Sequence, residues 1–247
     1  MYAVITAGGR VSPDFARLIG TDCKALAPLR ERALIDPAID AARAIGVDAI
    51  AVVGSAAVGT HCGSRIDRLI PAAASGPENI ARALRAFPHA ERLVFLTSDL
   101  PFIDRAALEG FVARSTEWAL TMALAPASAY DAAFPDAPPH CVRLGAQRFA
   151  NGSAFVIDRS AIEPLERVAG RFFSARKSLL RLAALLGPML CLRFAGGRLQ
   201  IGDIERRASA VLGIAAHAVV DAAPELCYDI DGIGDYTDAL RRLGAPG

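Results

Sequence analysis

Charge of one sign, paired cysteines and long apolar runs are all scarce in this chain, and each shortage closes a class of function. With 27 Lys and Arg against 26 Asp and Glu, the formal charge is +1. No general field therefore draws the chain to nucleic acid or to an anionic membrane, and phosphate recognition has to come from local placement. The five cysteines, Cys23, Cys62, Cys141, Cys191 and Cys227, are odd in number and form no C-x-x-C pair. That excludes a disulfide framework or zinc knuckle and fits a reducing compartment. No basic leader precedes MYAVIT, and no apolar run reaches the roughly 18 residues that span a bilayer. The expectation is a cytoplasmic protein without nucleic-acid or membrane partners. His61-Cys62 and His140-Cys141 are chain neighbours whose side chains diverge in extended backbone, so they read as structural rather than as metal ligands.

What is present is a globular composition, 53% hydrophobic over 247 residues, read as one domain spanning 1–247. Short apolar runs alternate with amphipathic segments, the order of βαβ units around a largely parallel sheet. Strands are expected at Tyr2 to Thr6, Ala49 to Val53, Leu93 to Leu96, Trp118 to Leu124 and Ala154 to Ile157. Helices are expected after an Asp36 cap with Pro37 in the first turn, after Ser75-Gly76-Pro77, and after an Asp104 cap. The Pro- and Ala-rich stretch from about 126 to 140 reads as a loop or flap. Ser174 reads as the cap of a helix turning Leu179, Leu182 and Leu186 inward, with Arg176, Lys177 and Arg181 as a basic cluster. Met189 to Phe194, Ile204 to Leu212, Ala218 to Val220 and Tyr236 to Leu243 complete the strand and helix pattern.

Three constellations carry chemistry, each with a plain alternative. Ala7-Gly8-Gly9-Arg10 follows the first strand, where glycines let the backbone turn and bring N–H groups to an anion. It is neither G-x-G-x-x-G nor a P-loop, since Lys24 lacks the G-K-[ST] context. Lys24, within Cys23-Lys24-Ala25-Leu26, either serves the site or snorkels to solvent. Ser98-Asp99-Leu100-Pro101 ends a strand, so Asp99 sits at the carboxyl rim where ligands bind in open α/β sheets. A rim carboxylate suits magnesium, although a turn aspartate would look the same. Asp229-Ile230-Asp231 precedes the last helix. There, Asp231 is either a metal ligand or a helix cap, with Asp229 in reserve.

In this order the motifs resemble the molybdenum-cofactor guanylyl- and cytidylyltransferase family of nucleotidyltransferases. Ala7-Gly8-Gly9, Lys24-Ala25-Leu26, Ser98-Asp99-Leu100-Pro101 and Asp229-Ile230-Asp231 with Asp235 match its successive motifs. Asn151-Gly152-Ser153 looks like its N-x-G step, and Gly76 to Asn79 its nucleotide-side segment. The resemblance implies a three-layer α/β/α, Rossmann-like fold with a mostly parallel mixed sheet of the nucleotide-diphospho-sugar transferase type. It also implies Mg2+-dependent transfer of a nucleoside monophosphate from GTP or CTP to a small acceptor. Ala7, Gly8, Gly9, Arg10, Lys24, Gly76, Asn79 and Ser98 would meet the nucleotide, Lys24 and Asp99 would act in catalysis, Asp99 and Asp231 would hold the metal, and Asn151 and Gly152 would face the acceptor. The chain departs from the family in its glycine loop, which is Arg10-Val11-Ser12-Pro13-Asp14 with Arg10 or Arg17 as replacement cations. It departs again at Gly232-Ile233-Gly234, which stands for T-P-E.

The implied geometry is specific. Carboxyl oxygens of Asp99 and Asp231 should approach within about 4–6 Å. Their mutual repulsion in the ion-free chain makes Asp99→Asn neutral or stabilising. Two rivals stay open: a non-catalytic nucleotide-binding protein of the same fold, and a nicotinamide-dependent oxidoreductase, which the missing fingerprint disfavours.

Overall fold

Strand β1 (Tyr2–Thr6) has no polar face; Ala3, Val4 and Ile5 are all fully buried, as befits a strand covered by helices on both sides. It takes the centre of the sheet in a computed structural model that describes residues 1–137, 141–175 and 187–244. Helix α1 (Pro13–Ile19) and the small hairpin of β2 (Pro28–Leu29) and β3 (Arg32–Ala33) fill the connection to α2 (Asp36–Ala44). Next come β4 (Ile50–Gly54), α3 (Ala56–Cys62), β5 (Arg68–Pro71), α4 (Gly76–Leu84) and β6 (Arg92–Thr97). After α5 (Arg105–Ala113) and β7 (Leu120–Pro126), α6 (Ala127–Ala133) leads to β8 (Cys141–Leu144) and the long β9 (Gln147–Asp158). The chain continues through α7 (Arg159–Ala175), α8 (Pro188–Ala195), α9 (Ile201–Leu212), β10 (Ala216–Val219) and α10 (Ile233–Gly244).

The sheet runs β10-β7-β9-β6-β1-β4-β5, with β8 paired to β9. β1 lies parallel to β4 and β6, β4 to β5, and β7 to β10, whereas β9 runs antiparallel to β6, β7 and β8. One face carries Ile5, Ile50 and Leu96 against α2, α5 and the α10 residues Tyr236 and Ala239. The other carries Val4, Val53 and Phe95 against α4 and α7, and farther along, β7 and β9 meet α8 and α9. This is the three-layer α/β/α arrangement with a mixed, mostly parallel sheet. No described helix is long and apolar enough to cross a membrane.

Local chemistry sets most boundaries. Ser75 caps α4 by accepting from the Glu78 N–H, and Asp104 caps α5 by accepting from Ala107. Asp36 departs from the expected cap: it is the first residue of α2, with Ile35 at the cap position. Its buried carboxylate instead accepts from the Ala33 N–H and contacts His61 and Arg65, each at 2.8 Å. His61 is thereby placed in a structural ion cluster; His140 lies outside the described residues.

Part of the expected loop or flap at 126–140 is α6. Tyr130 and Phe134, one helical turn apart, pack on Phe102 and Tyr228 in an aromatic cluster. Alanines hid this helix because they carry no amphipathic signal, while tertiary burial of two rings supplies the driving force. Ser174 falls inside α7 rather than before a helix. Arg176, Lys177, Leu179, Arg181, Leu182 and Leu186 lie outside the described residues.

Candidate active site

The carboxyl ends of β1 and β6 are tied together where the motifs begin. The Ser98 N–H donates to the Thr6 carbonyl at 3.1 Å, and the Ala7 N–H to Val53 at 2.8 Å. Ala7 and Ser98 are buried and serve through their backbones. Gly8 faces the start of α4: a Cβ there would lie 2.8 Å from Asn79 Nδ2 and 3.2 Å from Ala72 Cβ. The Asn79 amide accepts from the Ala73 N–H at 2.6 Å and donates to the Ala73 carbonyl at 3.2 Å. Asn79 therefore shapes the 72–75 loop against Gly8, and Gly76 opens the helix behind it. After Gly9 the chain runs through α1 and closes the excursion. Arg10 bridges Cys23, Val11 N–H donates to Asp22, and the Arg10 guanidinium is paired with Asp22. Arg17 pairs with Asp14 on the exposed side of α1.

Lys24 emerges from a short 3-10 turn, Lys24–Leu26, anchored by fully buried Ala25 and by the bond from the Ile35 N–H to the Ala25 carbonyl. The Lys24 side chain is 15% exposed and turns to carboxylates rather than out to solvent. Lys24 Nζ donates to Asp99 Oδ2 at 2.5 Å and to Asp231 Oδ1 at 3.3 Å. Burial pulls the ammonium's pKa down, but the Asp99 and Asp231 carboxylates outweigh it and hold the pKa above the ordinary lysine value. Asp99 and the closing loop are joined by the Ile230 N–H donating to the Asp99 carbonyl at 3.1 Å. One carboxylate oxygen each from Asp99, Asp229 and Asp231 lies within 4.8 Å of the others. At the start of α10 the Asp235 carboxylate accepts from the Asp231 and Gly232 N–H groups at 3.0 and 2.8 Å. Asp229 accepts from the Ser153 hydroxyl at 3.4 Å.

Residues 3–186 match the MobA-like NTP transferase domain. The chain belongs to that family. Its fold is shared by a hypothetical transferase from Thermus thermophilus, 28% identical with a TM-score of 0.85 over 96% of this chain and 98% of that one. It is also shared, at 14% identity and TM-score 0.57, by the 2-C-methyl-D-erythritol 4-phosphate cytidylyltransferase of the same organism, covering 99% and 98% of the two chains. A manganese complex of Rv0371c from Mycobacterium tuberculosis H37Rv aligns at 18% identity and TM-score 0.53, over 97% of each chain. No curated protein matches the chain.

Within this NTP transferase family member, the trio of carboxylates fits a hard divalent cation. All three donors are oxygens, and Asp99 Oδ1 is buried without a hydrogen-bond partner, a desolvation cost that an ion would remove. Gly152 has a packing explanation: a Cβ would lie 2.5 Å from the Ala123 carbonyl oxygen, beside the irregularity between Met122 and Leu124 in the β7–β9 pairing. Asn151 is exposed beside it. Ser153, Asp235 and the equal standing of Asp229 do not emerge from sequence as individual site residues. Ser153 belongs to the Asn-Gly-Ser step, but only strand pairing shows that its side chain reaches Asp229.

Proposed function

We propose that the chain is a magnesium-dependent nucleotidyltransferase, moving a nucleoside monophosphate from GTP or CTP to a small acceptor. The observation that carries this reading is the meeting of Lys24, Asp99, Asp229 and Asp231, from three separate segments, at the carboxyl edge of the sheet. An acceptor phosphate or hydroxyl oxygen forms a bond to the α-phosphorus while the bond to pyrophosphate breaks, and pyrophosphate leaves with the electron pair. Gly8 and Gly9 offer backbone N–H groups to the triphosphate, Asn79 keeps the facing loop in shape, and Lys24 neutralises charge near the α-phosphate. Asp99 and Asp231 would hold Mg2+, with Asp229 beside them, and the ion would supply charge stabilisation to the phosphates. Ser98 fixes the Asp99 loop, and Asn151 stands on the acceptor side. The five unpaired cysteines support the cytoplasm as its place.

The test is pyrophosphate release and thermal stability with each of four NTPs, with and without Mg2+. The expected result is release with GTP or CTP and loss of tight binding in EDTA; a ligand at 100 times its Kd stabilises by about 2.7 kcal/mol. Binding without release by any acceptor would favour the non-catalytic reading, which the Arg10–Asp22 pairing and the departure from the family's glycine loop motivate.

A further inference from the structure

The sheet's carboxyl edge divides in a way that bears on the acceptor. The nucleotide-side residues Gly8 and Asn79 lie at β1 and α4, the carboxylates meet at the end of β6, and on the opposite side of β6 stands β9. Along β9, Asn151, Ser153 and Phe155 project from one face, because strand side chains alternate. Ser153 reaches back to Asp229. Asn151 and Phe155 line a cavity of about 730 Å³ between this face and helices α8 and α9, with Met122, Leu124, Phe194 and Ile204 among its walls. The cavity thus opens on the strand face from which Ser153 reaches Asp229, on the far side of β6 from Gly8 and Asn79.

Its chemistry is one-sided. The ionisable side chains in the wall include Glu205 and His217, in contact at 2.8 Å, and Glu205 also accepts from the Ala218 N–H. They satisfy each other and leave no demand for a charged ligand. The volume is that of a small-molecule site, where apolar walls supply affinity and a few polar groups fix orientation.

We propose that the acceptor is amphiphilic: an apolar portion occupies this cavity while a hydroxyl or phosphate at its polar end lies beside Ser153 and Asp229. This inference rests on the nucleotidyl-transfer reading and names its acceptor class. In the transfer the acceptor oxygen bonds to the α-phosphorus, the bond to pyrophosphate breaks, and a hydroxyl acceptor releases its proton to solvent.

The chain carries its own reporter, since its single tryptophan, Trp118, stacks on His217 with ring centroids 4.5 Å apart. Butyl, octyl and dodecyl phosphate are titrated against the full chain without nucleotide or metal, following Trp118 fluorescence. The expected result is a saturable change whose affinity rises about fourfold per added methylene. Ala208→Phe, which fills the cavity from α9, should weaken octyl phosphate at least tenfold while NTP binding is unchanged; the chain-length series in the parent stands by itself if that variant does not fold. With Mg2+ and the preferred NTP, octyl phosphate should raise pyrophosphate release at least tenfold more than butyl phosphate. Fluorescence independent of chain length, or release indifferent to it in a chain that binds NTP, overturns the proposal. A saturating fluorescence titration in a chain that neither binds NTP nor releases pyrophosphate overturns the transfer reading, and with it the acceptor role.

Discussion

At the β1–β4 end of the sheet, a glycine without room for a side chain, an amide clamped to the backbone and a lysine on a buried turn present polar groups to the carboxyl edge. At the β7–β9–β10 end the sheet face under α8 and α9 is walled by Leu, Met and Phe side chains. On the proposed reading the contrast follows from what each side would recognise: a triphosphate calls for backbone N–H groups and fixed charge, which few residue types can supply, whereas an acceptor can be met by shape, which many apolar side chains can build. The central carboxylates belong to both ends, since Asp99 contacts Lys24 on one side and its partner Asp229 contacts Ser153 on the other.

The sharpest way to break this picture is Asp99→Asn. Turnover should fall at least about 10³-fold, roughly 4 kcal/mol of transition-state stabilisation. Stability should also drop, by about 1–3 kcal/mol. This reverses the expectation of carboxylate repulsion, because Lys24 lies between Asp99 and Asp231 and its ammonium would lose its nearer partner. Steady-state kinetics with urea unfolding measures both; an unchanged rate would remove Asp99 from the chemistry.

Lys24→Ala follows, with turnover expected to fall about 100-fold, close to 3 kcal/mol. Direct Mn2+ titration without nucleotide should show the variant binding the ion more tightly than the parent, since the competing ammonium is gone. Weaker ion binding would mean that Lys24 organises the carboxylates instead of occupying them.

Gly152→Ala separates packing from recognition on the acceptor side. Its new Cβ would press on the backbone of Ala123, so a loss of about 1–3 kcal/mol is expected in chemical denaturation, with NTP affinity intact. Full stability with lost activity would give Gly152 a part in the acceptor site beyond packing.

The smallest effect concerns the anchor of the closing loop. Asp238 accepts from the buried Tyr228 hydroxyl at 2.8 Å and pairs with Arg241 and Arg242. Burial opposes its charge, yet Arg242, Tyr228 and Arg241 prevail and hold the carboxyl pKa below its ordinary value. A lowered folded pKa means that the stabilisation is present above the unfolded carboxyl value, about 3.9, and is lost as pH falls through the folded value. Asp238→Asn should cost about 1–2 kcal/mol at pH 7 and flatten the acid limb of stability below about pH 4. An unaltered acid limb would count against it.

Strand order in the first half, the Ser75 and Asp104 caps and the rim position of Asp99 are legible in the sequence because each depends on neighbours within a few residues. The same locality misleads at Asp36, whose partners Ala33, His61 and Arg65 come together only in the fold, and at α6, where alanine gives no periodic signal. Asp231 is ambiguous for a related reason. Helix capping and ion binding use the same carboxylate chemistry, and only the fold shows that the Asp231 carboxylate stands beside Asp99 and Lys24 while its own N–H donates to Asp235.

Short motifs in order pointed to the family, and hydrophobic period together with strand ends pointed to the fold class and to the residue types at the carboxyl edge. What those residues face came from the folded chain alone. Folding set the Lys24 ammonium between two aspartates from distant segments, and it pointed Ser153 at Asp229. It also left an apolar cavity beside them, because contacts between segments far apart in the chain depend on strand order and register, which no local pattern encodes.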